Sequence, residues 1–322
     1  MAIVTGTTNT YSVGTAGGNR EDLEDSIWNL YADESWAITN LDTVDCEATN
    51  HEWLQDNLAA ASSNIQLEGD DDAYTTLVSP TRVNNYLQNF KKTFLVSGTQ
   101  EKVKKAGRSK EAARESIKKM RELKNDIEFT LVRNQGSSAG GAATGRSLAS
   151  MESWITQRTL ATTTASATTA GFSAGTVVAP VDGTTTGALT EANLKAALSS
   201  AWAEGGNPSV ILVGPTQKNV IDTMLGIATR FVDVGKAAQA SITGSANLYV
   251  TSYGTHKVVL HRHVRSSVVL CLDPDYWALS YLRRPFMEKM AKTGDADKYA
   301  IRAELTLVCR NHKANAKVVA CA

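Results

Sequence analysis

"SKEAARESIKKMRELKNDIEFTLVRNQGSSAGG", residues 109–141, carries the clearest helical pattern in the chain and ends in a tract of small residues. Ala113, Ile117, Met120, Ile127 and Leu131 recur at three- and four-residue steps with Leu123 beside them, so they form one apolar stripe. Glu115 and Lys119, Lys118 and Glu122, and Lys124 and Glu128 are opposite charges four apart, as on a solvated helix face. Ser109 is the expected N-cap and Gly136 the expected stop. At about 1.5 Å per residue the element spans about 40 Å, roughly twice an average helix. Such a helix reads either as one core helix of an α/β domain or, the reading we favour, as a spine along which a flat subunit is built.

Charge is balanced in total and segregated along the chain. Lys plus Arg and Asp plus Glu number 33 each over 322 residues. Yet residues 1–80 carry fifteen acids against the single base Arg20, a net −14, while residues 101–124 carry ten bases against four acids. An acidic front third calls for a basic partner surface. A nucleic-acid binder would share the basic stretch, but no aromatic side chain interrupts it to stack on bases. Contact with the acidic segment of a second copy accounts for both halves of the asymmetry. The candidate intersubunit residues are therefore Glu21, Asp22, Glu24, Asp25, Asp70, Asp71 and Asp72 on one side. On the other stand Arg82, Lys91, Lys92, Lys102, Lys104, Lys105, Arg108 and Lys118.

Outward from the helix, residues 1–18 are rich in Thr, Gly and Asn and read as an extended leader. "NREDLEDSIWNLY" (19–31) reads as a short amphipathic helix with Leu23, Ile27 and Leu30 on one side. From 52 to about 98, two extended runs meet at the acidic turn Asp70–Asp72; neither face is cleanly apolar and the ribbon has no evident core to join. Residues 136–189 are Gly-, Ala-, Ser- and Thr-rich apart from the short helix in "SLASMESWITQR" (147–158). Between 188 and 265 a compact α/β unit is expected. Its first helix is capped by Thr190 and buries Leu194, Leu198 and Trp202; "SVILVGP", a second helix and a hairpin around Gly254 follow. The tail offers four strands, and the third places Tyr299, Ile301, Ala303, Leu305, Leu307 and Cys309 on one apolar face for the long helix to cover.

Chemistry is sparse. His261 and His263 alternate as if on one strand face, but no carboxylate or cysteine stands nearby in sequence and Arg262 and Arg265 would repel a cation. "GDDD" (69–72) reads as a solvated turn, and "AKTGDADKY" (291–299) as a tight turn on Gly294 rather than a phosphate loop. Cys46, Cys271, Cys309 and Cys321 are scattered and have no CxxC spacing, and the N-terminus lacks the pattern of a signal peptide. No catalytic, cofactor-binding or metal site is expected, and no membrane span; a reducing site of synthesis is.

The order of parts, with "EWLQDNLA" (52–59), "TRVNNYLQNFKKTFLVSGTQEKVKKAGRSKEAARESIKKMRELKNDIE" (81–128) and "LDPDYWALSYLRRPFMEKMAKTGDADKYAIRAELTLVCRN" (272–311), resembles the HK97-like major capsid proteins of tailed bacteriophages. The resemblance implies an α+β chain with an N-terminal arm (1–51), an extended β-hairpin loop (52–105) and a peripheral domain of spine helix and linking loops (106–187). A central α/β axial domain (188–265) and a C-terminal sheet of the peripheral domain (266–322) complete it. It further implies self-assembly into hexamers and pentamers of an icosahedral head around double-stranded DNA, contacted non-specifically, without catalysis. Portal, scaffold and decoration proteins would be partners, and the virion, assembled in the host cytoplasm, the location. The alternatives are an encapsulin-like compartment shell and an α/β enzyme.

Overall fold

The computed structural model describes residues 24, 26–28, 30, 32–69, 71, 74, 76–162, 171–173, 175–224 and 247–322. Most of the helix expected over 19–31, and the turn residues Asp70 and Asp72, lie outside them; Glu24, Ser26, Ile27, Trp28 and Leu30 of that expected helix are described and are not helical. The chain enters through α1 (Trp36–Asn40) and β1 (Asp42–Asp45), then β2 (Asn50–Gln55), β3 (Thr81–Tyr86), β4 (Gln88–Ser97) and α2 (Gly98–Lys102). The long helix is α3 (Glu111–Val132), followed by α4 (Met151–Trp154), β5 (Gln157–Leu160), β6 (Phe172–Ser173) and β7 (Thr176–Val177). Next come α5 (Glu191–Ala203), β8 (Val210–Val213), α6 (Pro215–Thr223), β9 (Leu248–Thr251) and β10 (Gly254–Leu260). The tail holds β11 (Val269–Leu272), β12 (Trp277–Met290), β13 (Ala296–Cys309) and β14 (Ala316–Val319).

Helix α3 is shorter at both ends than its sequence implies. Ser109 is not its cap: the backbone N–H groups of Glu111 and Ala112 donate to the carboxylate of Glu101, at 3.1 and 3.2 Å, across the intervening turn. A carboxylate there satisfies two orphan donors and faces the positive end of the dipole. At the other end Arg133 is already extended (φ −74°, ψ 162°). The chain is drawn off before Gly136 because Asn134 donates to Pro180 O at 2.6 Å and Gln135 to Leu148 O at 2.8 Å. Twenty-two residues remain, about 33 Å of helix.

The expected stripe is half right. Leu123, Ile127 and Leu131 are buried against Ile301, Ala303, Leu305, Leu307 and Cys309 of β13, so helix on sheet is indeed the core. Ile117 remains 60 % exposed and Met120 37 %. The charge ladder also changes. Lys119 pairs with Glu122 at 2.8 Å, and Glu128, expected on the wet side opposite Lys124, is fully buried.

Two sheets flank this core. One runs β1-β12-β13-β4, the other β5-β14-β11-β8-β10-β9. The four tail strands are therefore not one sheet: β12 and β13 form the long hairpin of the first, whereas β11 and β14 belong to the second beside β8. The uniformly apolar β11 is buried on both faces, as an inner strand of a covered sheet must be. The α/β unit around 188–265 thus borrows β5, β11 and β14 from outside that range.

The second extended run also finds a core. Strand β4 pairs antiparallel with β13 from Gln88 to Ser97, while only β3, ahead of it, pairs with β2, with Trp53 opposite Val83. Trp202, expected buried, is 60 % exposed and lies 6.0 Å from the Tyr253 ring. Gly294 takes φ +77° in the tight β12–β13 turn, and Gly254 φ +129° at the start of β10.

Candidate assembly surfaces

Strand β2 is hooked to the end of β13 by side chains rather than by a sheet edge. The Trp53 indole donates to Cys309 O at 3.0 Å, and the Gln55 amide donates to Cys309 O and Arg310 O at 3.1 and 3.0 Å. Gln55 Oε1 meets His312 Nδ1 at 3.1 Å. Behind them a ring chain runs Trp53–Trp154–Phe172–His312, with centroids 5.4, 5.2 and 4.4 Å apart. Burial pushes the His312 imidazole below the usual histidine range, which keeps it neutral among the rings.

Beyond that anchor the chain turns outward. Leu58 is 100 % exposed, Tyr74 94 %, Leu77 93 % and Ile65 85 %. No strand forms among the described residues from 56 to 80. Isolated exposed apolar residues are ordinary; a whole segment of them is an unfilled contact.

The root of the arm is latched from beneath. Glu128 of α3 accepts the N–H groups of Ala37 and Ile38 at 2.6 and 3.1 Å, capping α1, and lies 3.0 Å from His261 Nε2. Because His261 Nδ1 accepts the backbone N–H of His263 at 3.2 Å, its proton sits on Nε2 and donates to Glu128. His263 pairs through Nε2 with Asn125 Oδ1 at 2.8 Å. The two histidines are thus on a turn, not a strand, and both are engaged. A carboxylate far away in sequence is the partner that spacing alone did not reveal. Among the described residues no group of three His, Cys, Asp or Glu side chains is arranged to hold a metal.

A further ion cluster ties α4 to β14 of the second sheet and to the loops that carry Asp182 and Arg265. Arg265 bridges Glu152 and Asp182, and the ammonium of Lys317 donates to the carbonyl of Glu152 at 2.6 Å. All four cysteines are reduced and buried, and burial pushes the Cys271 and Cys321 thiols up to about 12. Neither is an activated nucleophile.

The candidate intersubunit residues divide. Glu21, Asp22, Asp25, Asp70 and Asp72 lie outside the described residues; Glu24 and Asp71 are exposed. Lys91, Lys102, Lys104 and Lys118 are exposed as well. Arg82 pairs at 3.4 Å with Glu52 across the β2–β3 ribbon, Lys92 at 2.6 Å with Asp126, and Arg108 with Glu111. Lys105 donates to Glu101 O at 3.4 Å. Trp53, Gln55, Glu128 and Lys317 were missed. Glu128 alone left a trace, since a carboxylate beside Ile127 and Leu131 falls at the edge of the apolar stripe.

A long helix on a four-stranded sheet, a mixed second sheet and a projecting loop define the class. The same fold is found in phage capsids. A cyanophage A-1(L) capsid subunit matches with TM-score 0.67 at 14 % identity, covering 97 % of this chain and 99 % of its own. A Gordonia phage Cozz chain matches at 0.59 and 14 % identity over 98 % and 96 %. A chain from phage G, in a structure of gp27 major capsid proteins and gp26 decoration proteins, matches at 0.56 and 10 % identity over 100 % of both. No curated protein sequence matches. The profile of the SU10 major capsid protein family matches residues 3–322, and the chain belongs to that family. It is an HK97-like major capsid protein of a tailed phage and a component of the virion. Neither the compartment shell nor the α/β enzyme is favoured by these findings.

Proposed function

We propose that this capsid protein builds its shell as hexamers and pentamers in which residues 1–51 and 52–105 reach across neighbours and complete their own packing there. Residues 106–187 and 266–322 form the peripheral domain, and 188–265 faces the capsomer centre. The carrying observation is the apolar exposure of the loop: Leu58, Ile65, Leu67, Tyr74, Leu77 and Val78 are each at least 80 % exposed. Covering one such side chain is worth about 1.5–3 kcal/mol. Six give on the order of 10 kcal/mol per loop before the cost of association, enough to hold a loop across a subunit boundary. The part is architectural, without catalysis. Assembly takes place in the host cytoplasm with portal and scaffold proteins, decoration proteins join the shell, and the enclosed double-stranded DNA is contacted non-specifically.

In this reading Lys91, Lys102, Lys104, Lys105 and Lys118, with Arg82, Lys92 and Arg108 at the margin, meet Glu21, Asp22, Glu24, Asp25 and Asp70–Asp72 of other copies. Such pairs steer register more than they add affinity, and their attraction is screened beyond about 8 Å at physiological salt. Electron microscopy of the purified protein tests the proposal. Wild type forms shells or capsomers, and Ile65→Asp with Leu77→Asp leaves soluble, unassembled subunits. Shells at wild-type yield from that double variant would refute it. Early assembly should also slow as salt is raised.

A further inference from the structure

The turn that follows β10 is gripped from several sides at once, and each of its residues 261–265 reaches a different part of the chain. The backbone N–H of His261 donates to Val213 O of β8 at 2.9 Å, and its buried ring meets Glu128 of α3 at 3.0 Å. Arg262 reaches Glu34, at the arm root, at 3.5 Å. His263 pairs with Asn125 of α3 at 2.8 Å and stands edge-on to Phe129, with ring centroids 5.5 Å apart. Val264 is buried in the core that α3 shares with the sheets, and Arg265 bridges Glu152 of α4 and Asp182. The turn is thus the joint between the second sheet and α3.

We propose that this joint is opened by a proton: His261 keeps the turn closed only while its Nδ1 is bare, and acid detaches His263 from α3 and Arg262 from Glu34 while the arm root stays capped. The inference goes beyond the assembly reading and does not depend on it. In the closed form Nε2–H of His261 donates to Glu128, and Nδ1 accepts the backbone N–H of His263 at 3.2 Å. A further proton goes to Nδ1, the nitrogen that still has a lone pair. The acceptor becomes a donor, two N–H groups face each other, and the contact breaks. Glu128 holds on, because its partner ring is now a cation and it still accepts the N–H groups of Ala37 and Ile38. Opening is therefore confined to the turn.

The second imidazole acts in the same direction. The two rings lie 5.6 Å apart. Burial, then the neighbouring His261, hold His263 below 6.5, with Arg133 adding to the fall and Glu34 and Glu128 opposing it. Between that lowered value and 6.5 the folded turn binds fewer protons than the unfolded chain. The stability it contributes is whole above pH 6.5 and is lost as pH falls through the lowered value. The charged groups facing the pair are Glu128 and Arg133 of α3, Glu34 of the arm root and Arg262 of the turn, with Tyr281 of β12 behind Glu128. Arg265 faces Glu152 and Asp182 instead. Two carboxylates already balance two guanidiniums, so every proton added leaves an unbalanced positive charge.

The test is amide hydrogen exchange on the full-length protein from about pH 7.5 to about pH 5, the range that imidazoles titrate, with rates divided by those of an unstructured chain at the same pH. Protection at the His263 amide should fall about tenfold, as for one lost buried hydrogen bond, while Ala37 and Ile38 keep theirs within about twofold. Unchanged protection at His263, or a loss shared by Ala37 and Ile38, would overturn the inference. In His261→Asn the amide oxygen replaces Nδ1 as acceptor and takes up no proton, so the pH dependence at His263 should vanish; a wild-type profile there counts against the switch. A readout on the wild type stands even if that variant does not fold. The 15N shifts of labelled imidazoles should place the His261 proton on Nε2 at neutral pH and protons on both nitrogens in acid. A neutral ring protonated on Nδ1 leaves His263 without its acceptor and refutes the mechanism.

Discussion

Replacing Lys317 with Met should stabilise the protein near neutral pH and lose that advantage in mild alkali. Lys317 is 1 % exposed, and its ammonium finds the Glu152 carbonyl at 2.6 Å. Burial depresses its pKa from 10.5 to about 8, with Arg158 and Arg265 adding to the fall and Glu152 and Asp182 opposing it. Between those two values the folded protein binds fewer protons than the unfolded chain, so wild-type stability rises with pH across that window. Below about pH 8 the buried charge costs on the order of 3 kcal/mol. Methionine removes that cost, keeps the volume and leaves the carbonyl unpaired at about 1 kcal/mol. The net gain is therefore about 2 kcal/mol at pH 7, turning into a loss of about 1 kcal/mol above pH 10.5, where the wild-type lysine is neutral in both states. Denaturant unfolding of both proteins at matched concentration from pH 6.5 to 10.5 reads this directly. A stability difference that does not change with pH would refute the reasoning.

Glu128→Ala should cost about 3–5 kcal/mol, because two buried donors and the half-buried Ile38 N–H lose their acceptor, and should speed amide exchange at Ala37 and Ile38; unchanged exchange there would argue against the latch. Trp53→Ala should cost about 3 kcal/mol and loosen both strands of the β2–β3 ribbon in hydrogen exchange, leaving α3 as protected as before. Among the described glycines, Gly206→Ala should be the most damaging substitution, since an added Cβ would meet Ala314 O at 2.0 Å; relieving such overlap costs about 3 kcal/mol. Its neighbour Gly205 sits at φ +84° in open space, so Gly205→Ala should cost only about 1 kcal/mol. Melting temperatures that reverse the order of these two would contradict the geometry.

The parts of the fold that proved legible are those written in local pattern. The spacing of Leu123, Ile127 and Leu131 announces a buried helix face, the alternation from Tyr299 to Cys309 a strand with one apolar side, and Gly294 a turn. Each follows from a period of 3.6 or 2 acting within one element. Partner choice left no such period. Strand β11 and the first residues of β12 are both apolar and close in sequence, yet the two strands join different sheets because β8 and β14 occupy the two edges of β11. Helix α3 takes its N-terminal cap from Glu101 rather than Ser109 because a turn brings that carboxylate back. Glu128 and His261 are 133 residues apart and meet only once the helix is laid down.

Charge segregation and the long amphipathic helix were determined by the order of residues alone, since each is a sum over neighbours along the chain. The hooks of Trp53 and Gln55, the latch at Glu128 and the joint at His261 were decided by tertiary structure. Those depend on which surfaces are brought within hydrogen-bonding or van der Waals distance, and that distance is set by how two sheets pack around one helix.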